Sequence, residues 1–352
     1  MGPTGSARIL QIHPTRQCNL SCLHCYSSSS PRAHGALALD LLCEAISDAA
    51  DEGFNFVSLS GGEPLLYKPL AQLLQHAHTC GMRTSVTSNG MLLTAPNIEL
   101  LHGNVDVLAI SIDGIPESHN RIRGSQLAFD TMKARLPLLR AANMNFGFIF
   151  TLTQYNLNEL DWIRDFAISE GAKLLQIHPL EEVGNAATML QGNAPDATES
   201  AYAWLLAQQS NNSALRVQID LAFSETVKQH PELVFASAVA EQKSKRFGDL
   251  VSPLVIEADA TVSPIQYGFA RDFAIGNLTQ APLRTLLKDW QEQRLPAFYS
   301  LCRDVYDEIS RAPKPYFFDW NNLIGKRAEE ANYPYPVKKN GPLNIAHAHS
   351  DI

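Results

Sequence analysis

No run of the sequence approaches the roughly 18 consecutive apolar residues that a membrane-spanning helix needs. The opening stretch MGPTGSARILQIH also lacks the charged start and the apolar core of roughly 7–15 residues that mark a secretory signal. Both absences point to a cytoplasmic chain without a membrane partner. Charge is scarce too: Asp, Glu, Lys and Arg make up 18% of residues, and acids outnumber bases 36 to 28 for a net charge of −8. Such a balance gives no general attraction to nucleic acid. The one basic run, Lys243, Lys245 and Arg246, reads as a solvated helix face rather than a phosphate site. Cysteine is sparse, with six in 352 residues. In a reducing compartment that argues against a disulfide framework, so the thiols must be ligands, nucleophiles or core.

What is present is ordinary globular material: 45% hydrophobic residues, with Gly and Pro at 20 each, which excludes a disordered or collagen-like chain. Length admits two domains of about 150 residues, or a barrel of roughly 200–250 residues with an appendage. From residue 8 onward, short β-branched runs alternate with amphipathic stretches, the pattern of parallel strands joined by crossover helices. The strands are Ile9 to His13, Phe56 to Ser60, Thr84 to Ser88, Val107 to Ile112, Asn145 to Thr153 and Leu174 to His178. Helices at 38–52, 68–80, 95–102, 128–142, 157–170 and 197–210 fill the gaps. Six βα units predict a partial parallel barrel with its site at the C-terminal strand ends. Past residue 210 the alternation loosens to a strand-like Leu215 to Ala222, a helix-like 224–246, a hairpin over Leu254 to Ile265 and a helix at 281–294. The tail after Pro313 is expected to hold little regular structure.

The densest chemistry is Cys18-Asn-Leu-Ser-Cys22-Leu-His-Cys25, on the loop after the first strand. Soft thiolates this close suit an iron-sulfur cluster or zinc. A [4Fe-4S] cluster held by three would leave one iron open, whereas structural zinc would want a fourth ligand such as His24 or His13. Further polar clusters close the following strands: Ser60-Gly61-Gly62-Glu63-Pro64, Thr87-Ser88-Asn89-Gly90, Ser111-Ile-Asp113-Gly114 and Thr153-x-x-Asn156. Each alone is a turn more often than a site. Their shared position at the strand ends sets them apart.

With these residues the sequence resembles the radical S-adenosylmethionine (radical SAM) enzymes, whose signature is C-x3-C-x2-C. The resemblance implies an α/β fold: a partial (β/α)6 TIM-like barrel over 1–212, a small C-terminal α+β SPASM/twitch-like extension over 213–312 and a tail over 313–352. It implies a [4Fe-4S] cluster on Cys18, Cys22 and Cys25, chelated at its open iron by S-adenosylmethionine, whose cleavage releases a 5′-deoxyadenosyl radical. The family's aromatic residue before the third cysteine is His24 here, followed by Tyr26. Gly61 and Gly62 would let backbone approach the cofactor, and Glu63 would meet the methionyl ammonium. Ser88, Asn89, Ser111 and Asp113 would meet ribose and carboxylate, as would Thr153 and Asn156 at the fifth strand, and Arg123 is the candidate for the carboxylate.

The extension departs from that pattern. Val255 to Ile265, then Ile275-Gly276-Asn277-Leu278, resembles the SPASM or twitch hairpin, but Ile265 stands where a cysteine is usual, and only Cys302 follows residue 250. One thiol cannot hold an auxiliary cluster. Cys43 and Cys80 read as packing residues on helices, and Cys302 as packing or as a hydrogen-atom donor near the site. His178 beside Glu181 and Glu182, and Tyr267 with Tyr26, are candidates for lining a substrate pocket. His347 and His349 lie in the tail. The resemblance favours a ribosomally made peptide as substrate, with haem or haem d1 side chains or a small metabolite as alternatives, and a non-catalytic zinc or cluster protein as the alternative of another class. An external flavodoxin or ferredoxin would supply the electron. The short lead before the first strand leaves no room for a cobalamin or leader-binding domain, so the barrel, the tail or a separate protein would bind any leader.

Overall fold

The computed structural model describes residues 7–211, 214–234, 246–311 and 316–330. Seven strands run parallel and in chain order: β1 (Ile9–Ile12), β2 (Phe56–Leu59), β3 (Arg83–Ser88), β4 (Val107–Ile112), β5 (Phe146–Leu152), β6 (Leu174–Pro179) and β7 (Arg216–Ile219). Between them lie α1 (Leu39–Asp51), α2 (Leu70–Thr79), α3 (Ala95–Leu101), α4 (Pro116–Arg123), α5 (Ala128–Lys133), α6 (Leu136–Ala141), α7 (Leu160–Ser169), α8 (Ala186–Met189) and α9 (Ala197–Ser210). This is the expected α/β architecture, a parallel sheet of the TIM-like barrel kind. Helical faces follow the 3.6-residue period: α1 buries Leu42, Ala45, Ile46 and Ala49. Its apolar stripe belongs to the same core as Leu10, Ile12, Val57 and Leu59 of the first two strands, all fully buried.

Several boundaries differ from the sequence reading, and proline explains two of them. The helix expected over 128–142 is two, α5 and α6, with Pro137 in the first turn of the second. Proline removes a donor and disfavours helical geometry before it, yet it is well suited to a helix start. The same holds after α11 (Leu283–Gln293): α12 (Leu295–Arg311) begins at once with Pro296 in its first turn.

The expected boundary at residue 212 does not divide the sheet. β7 extends it beyond β6, pairing Leu174 with Arg216. At the other edge, β9 (Leu254–Ile256) joins β1 in parallel, with Leu10 opposite Leu254, and continues into β10 (Thr261–Pro264) and β11 (Gly276–Asn277). Two further short strands, β8 (Ala222–Phe223) and β12 (Phe317–Phe318), pair with each other, with α10 (Ser224–Gln229) after the first and α13 (Trp320–Glu330) after the second. The expectation of an irregular tail is therefore corrected for residues 316–330: Phe317 stacks on Phe223 and packs on Trp204, and α13 buries Trp320 and Ile324. The expected helix over 224–246 extends beyond the described residues, as do Lys243, Lys245, His347 and His349.

A sheet that runs unbroken from β11 to β7 couples extension and barrel. Ile256→Ala should cost about 2–5 kcal/mol and accelerate amide hydrogen exchange in β1 as well as β9. Exchange confined to β9 would show that the two parts unfold independently.

Candidate active site

Parallel strands send all their C-terminal ends to one side, and there the loop of residues 13–38 folds on itself. Gln17 bridges to Ser30 and Thr15 to Ala36. Cys18, Cys22 and Cys25 are free thiols on this loop, the first two buried. Four other segments hold the loop. Gly62 N donates to Thr15 O at 2.9 Å and Glu63 N to Gln17 O at 2.9 Å. Leu23 N donates to Ile122 O at 2.8 Å, at the end of α4. Asn185 spans two cysteines, N to Cys25 O at 2.9 Å and Nδ2 to Cys22 O at 3.0 Å. Asn89 Nδ2 donates to Asn19 Oδ1 at 2.7 Å.

The two glycines act differently from the sequence expectation. A Cβ at Gly62 would lie 2.1 Å from Gln17 O, and one at Gly61, where φ is +114°, 2.8 Å from Thr15 O. The backbone they admit is that of the cysteine loop itself. Gly184 does the same from the other side, its φ at +60° and its would-be Cβ 2.3 Å from Tyr26 O. Neither Gly184 nor Asn185 was singled out from sequence. The Gly-Asn pair after β6 was the available signal, but such pairs usually mark ordinary turns.

Each sulfur receives an N–H donor. Arg123 Nη1 approaches Cys22 Sγ at 3.8 Å, Asn89 Nδ2 approaches Cys18 Sγ at 3.9 Å, and Ser29 N donates to Cys25 Sγ at 3.3 Å. Burial pushes the Cys18 thiol up to about 12 and that of Cys22 up to about 11, the latter against the pull of Arg123. Among the described residues no three His, Cys, Asp or Glu side chains converge as ligands of a single ion. Three soft donors with hydrogen bonds at each sulfur fit an iron-sulfur cluster better than a closed zinc site.

Around the loop the strand ends form a connected polar network. Glu63, fully buried, accepts from Leu65 N at 3.2 Å, Ser88 Oγ at 2.9 Å and Asn89 N at 2.9 Å. Burial raises its pKa, and these donors oppose the rise. Asp113, also fully buried, accepts from Arg123 Nε at 2.5 Å and from His24 Nε2 at 3.1 Å, while its own N–H donates to His119 Nδ1 at 3.2 Å. Burial alone would raise the Asp113 pKa; Arg123 first, then His24, hold it far below the carboxylate range. His24 Nδ1 is buried without a hydrogen-bond partner. Ser111 is buried one turn of the pleat before Asp113.

Thr153 and Asn156 are reassigned by their bonding. Asn156 Oδ1 accepts from Thr153 N at 2.7 Å and Thr153 Oγ1 at 3.0 Å, and Nδ2 donates to Asp113 O at 3.1 Å and Thr151 O at 3.0 Å. All four hydrogen-bonding positions of the amide are thus used internally. The pair braces β4 against β5 instead of facing a ligand. Glu159 adds a second brace, accepting from Ile115 N at 2.9 Å and Ser118 Oγ at 2.7 Å.

The pocket candidates fall in two places. Tyr267 packs on His13, ring centroids 4.6 Å apart, and edge-on to Tyr26 at 5.5 Å. Burial lowers His13 to about 3, which keeps it neutral. The Tyr267 loop is held by buried Glu257, which takes both Arg271 amines at 2.9 and 2.7 Å, Ser263 Oγ at 2.6 Å and Gly268 N at 2.9 Å. His178, at the end of β6, pairs through Nδ1 with Asp220 Oδ2, next to Glu181. Burial, then Asp319, pushes Glu181 up to about 7. Asp319 itself stands at about 6, chiefly through burial. Cys302 is elsewhere: on α12 it shares the inward face with Phe298, Leu301 and Val305 and is 1% exposed. A hydrogen-atom donor must reach its substrate, so the donor role expected of Cys302 is withdrawn. Cys43 and Cys80 are half-buried against the core, Cys80 3.6 Å from His76 Nε2.

Residues 12–167 match the family model described as the Radical SAM superfamily. The AdoMet-dependent heme synthase of Methanosarcina barkeri is 32% identical over 184 residues, 51% of this chain and 53% of that protein. The sporulation killing factor maturation protein SkfB of Bacillus subtilis is 30% identical over 174 residues, 49% of this chain and 42% of that protein. The chain therefore spans about half the length of the curated relatives it matches. Among solved structures, Streptococcus suis SuiB bound to S-adenosylmethionine superposes at a TM-score of 0.61 with 18% identity, covering 87% of this chain and 68% of that one. The anSMEcpe structure with bound AdoMet and Cp18Cys peptide gives 0.60 at 17% identity, covering 92% and 95%. A [4Fe-4S] cluster and S-adenosylmethionine are the family's characteristic cofactors.

Two predictions follow from the geometry. Gly62→Ala should destabilise the fold by about 2–3 kcal/mol, because backbone must move, whereas Gly103→Ala, with open space around it but φ +77°, should cost only about 1–2 kcal/mol; urea unfolding separates them. The folded chain holds protons on Glu181, Asp319 and His178 more tightly than the unfolded one, so their contribution to stability is full below the unfolded values and is lost as pH rises through the raised ones, whereas His13 and His119, lowered by burial to about 3 and about 4, contribute stability that grows as pH rises toward their ordinary value. Thermal melts from pH 5 to pH 8 should show Glu181→Gln gaining stability relative to the wild type as pH rises to about 7, and a difference that stays constant with pH would contradict the raised value.

Proposed function

We propose, for a chain that belongs to the radical SAM superfamily, that it cleaves S-adenosylmethionine reductively at one [4Fe-4S] cluster and takes a hydrogen atom from a ribosomally made peptide. The observation that carries this reading is the three free thiols on one loop, each with an N–H donor at its sulfur, at the C-terminal ends of the parallel strands. Bound together, cluster and S-adenosylmethionine supply a one-electron cleavage that ends as 5′-deoxyadenosine carrying substrate hydrogen.

This chain's residues divide the remaining work. Cys18, Cys22 and Cys25 are the cluster ligands. Glu63 has used three of about four acceptor positions on Leu65, Ser88 and Asn89, leaving one on Oε2 for the methionyl ammonium. A buried carboxylate with no direct ion pair gains from such a partner. Ser88 and Asn89 hold Glu63 in place, Ser111 and Asp113 line the next strand end, and His24 offers its ring to the adenine. Tyr26 and Tyr267 line the substrate side, with His178 at the rim. The extension offers no ligand set for an auxiliary cluster, because Cys302 is the sole cysteine after residue 250. The reaction therefore closes its electron count at one cluster, fed by an external flavodoxin- or ferredoxin-type donor. A cytoplasmic setting suits six free thiols.

The peptide reading draws on the likeness to SkfB. A second reading, modification of haem-precursor side chains, draws on the likeness to the heme synthase. Anaerobic reconstitution should give about four irons per chain and reductant-dependent 5′-deoxyadenosine. Cys18→Ala, Cys22→Ala and Cys25→Ala should each abolish both, and Cys302→Ala neither. Bound zinc without cleavage would contradict the enzyme reading. Mass spectrometry of a short peptide encoded beside the gene, after co-expression, separates the substrates: a mass change supports the peptide, and an unchanged peptide with conversion of an iron porphyrin supports the second reading.

A further inference from the structure

We propose that Arg123 and Asp113 set the reduction potential of the cluster, Arg123 raising it and Asp113 limiting the rise. The inference rests on the cluster assignment above and concerns a different property of the same site. Three N–H donors reach the ligand sulfurs, besides the neutral Ser27 hydroxyl 3.4 Å from Cys25 Sγ, and they are unequal. Those at Cys18 and Cys25 are a side-chain amide and a backbone N–H, both neutral. The donor at Cys22 is a guanidinium, 3.8 Å from the sulfur. One added electron makes the cluster one charge more negative, so a fixed positive charge at a ligand sulfur favours the reduced form. Low surrounding polarity strengthens that preference, and Arg123 is buried.

Arg123 is the last residue of α4, whose C-terminal turn ends at Gly124 with φ 65°. A Cβ there would lie 2.8 Å from Ser21 O, so the glycine lets the helix end lie against the cysteine loop. Asp113 fixes the guanidinium from behind through Nε at 2.5 Å, which places a full negative charge one side chain farther from Cys22. His24 Nε2 and the Asp113 N–H bond to His119 hold that carboxylate in turn. Arg123 thus places one guanidinium nitrogen on Asp113 and another at Cys22 Sγ, and its charge acts on the cluster directly.

The two charges make opposite predictions, which separates tuning from simple damage. In a redox titration of the reconstituted protein followed by electron paramagnetic resonance, with dithionite as electron donor and S-adenosylmethionine absent, Arg123→Gln should shift the midpoint to more negative potential. Asp113→Asn should shift it to more positive potential, and the double variant should fall between the two. Arg123→Lys, which keeps the charge, should stay nearer the wild type than Arg123→Gln. Iron content near that of the wild type shows that the cluster is intact in each. Equal midpoints in all variants, or shifts of the same sign for Arg123→Gln and Asp113→Asn, would overturn the proposal. Should Arg123→Gln fail to hold iron, Asp113→Asn decides alone: a midpoint at or below the wild type overturns it. A wild-type protein that takes up no cluster would overturn the functional reading instead.

Discussion

The buried pair of Asp113 and Arg123 is the interaction around which the site is arranged. Taking both charges from water costs several kcal/mol per ion, recovered only through close geometry and further hydrogen bonds. The structure provides both: Asp113 is fully buried, meets Arg123 Nε at 2.5 Å and also receives His24 Nε2. Those contacts tie the end of β4, the end of α4 and the middle of the cysteine loop to one point. Removing either charge would leave the other stranded, so the pair constrains the loop even before any cofactor binds. Glu63 makes a matching tie between the turn after β2 and the end of β3.

Glycines determine how closely these ties can draw. Gly61, Gly62, Gly124 and Gly184 each bring a backbone against the cysteine loop where a Cβ would collide with a carbonyl. The extension reaches the same loop by aromatic packing, with Tyr267 seated on His13 and Tyr26 and fixed by the Glu257–Arg271 ion pair. Ile265, after the hairpin proline Pro264, is buried. The loop that follows packs on the cysteine loop through Tyr267.

Much of the scaffold was legible because burial imposes simple periods. The six parallel strands read from β-branched runs agree with the observed ones to within a residue or so, and α9 matches at both ends. Failures have identifiable causes. α4 is a polar helix with little apolar stripe to announce it, and α12 has in its first turn a proline that reads as a terminator. β7 and β9 join the parallel sheet through pairings between distant segments, which local pattern does not encode. At the site, residue types at strand ends indicated which side chains gather, but not which are spent on one another. Asn156 looked available and is fully bonded within the protein. Cys302 was open between packing and hydrogen-atom donation and lies on α12's buried face, because a helix of mixed composition does not reveal from sequence which side its cysteine takes.

The central claim is that three cysteines hold a single [4Fe-4S] cluster with one iron left open for S-adenosylmethionine. Mössbauer spectroscopy of protein reconstituted with iron-57, recorded before and after adding S-adenosylmethionine, tests it most directly. The account predicts one cluster in which about a quarter of the iron signal, that of the open site, changes on addition while the rest does not. A spectrum unaltered by S-adenosylmethionine, or signals from a second cluster, would contradict it.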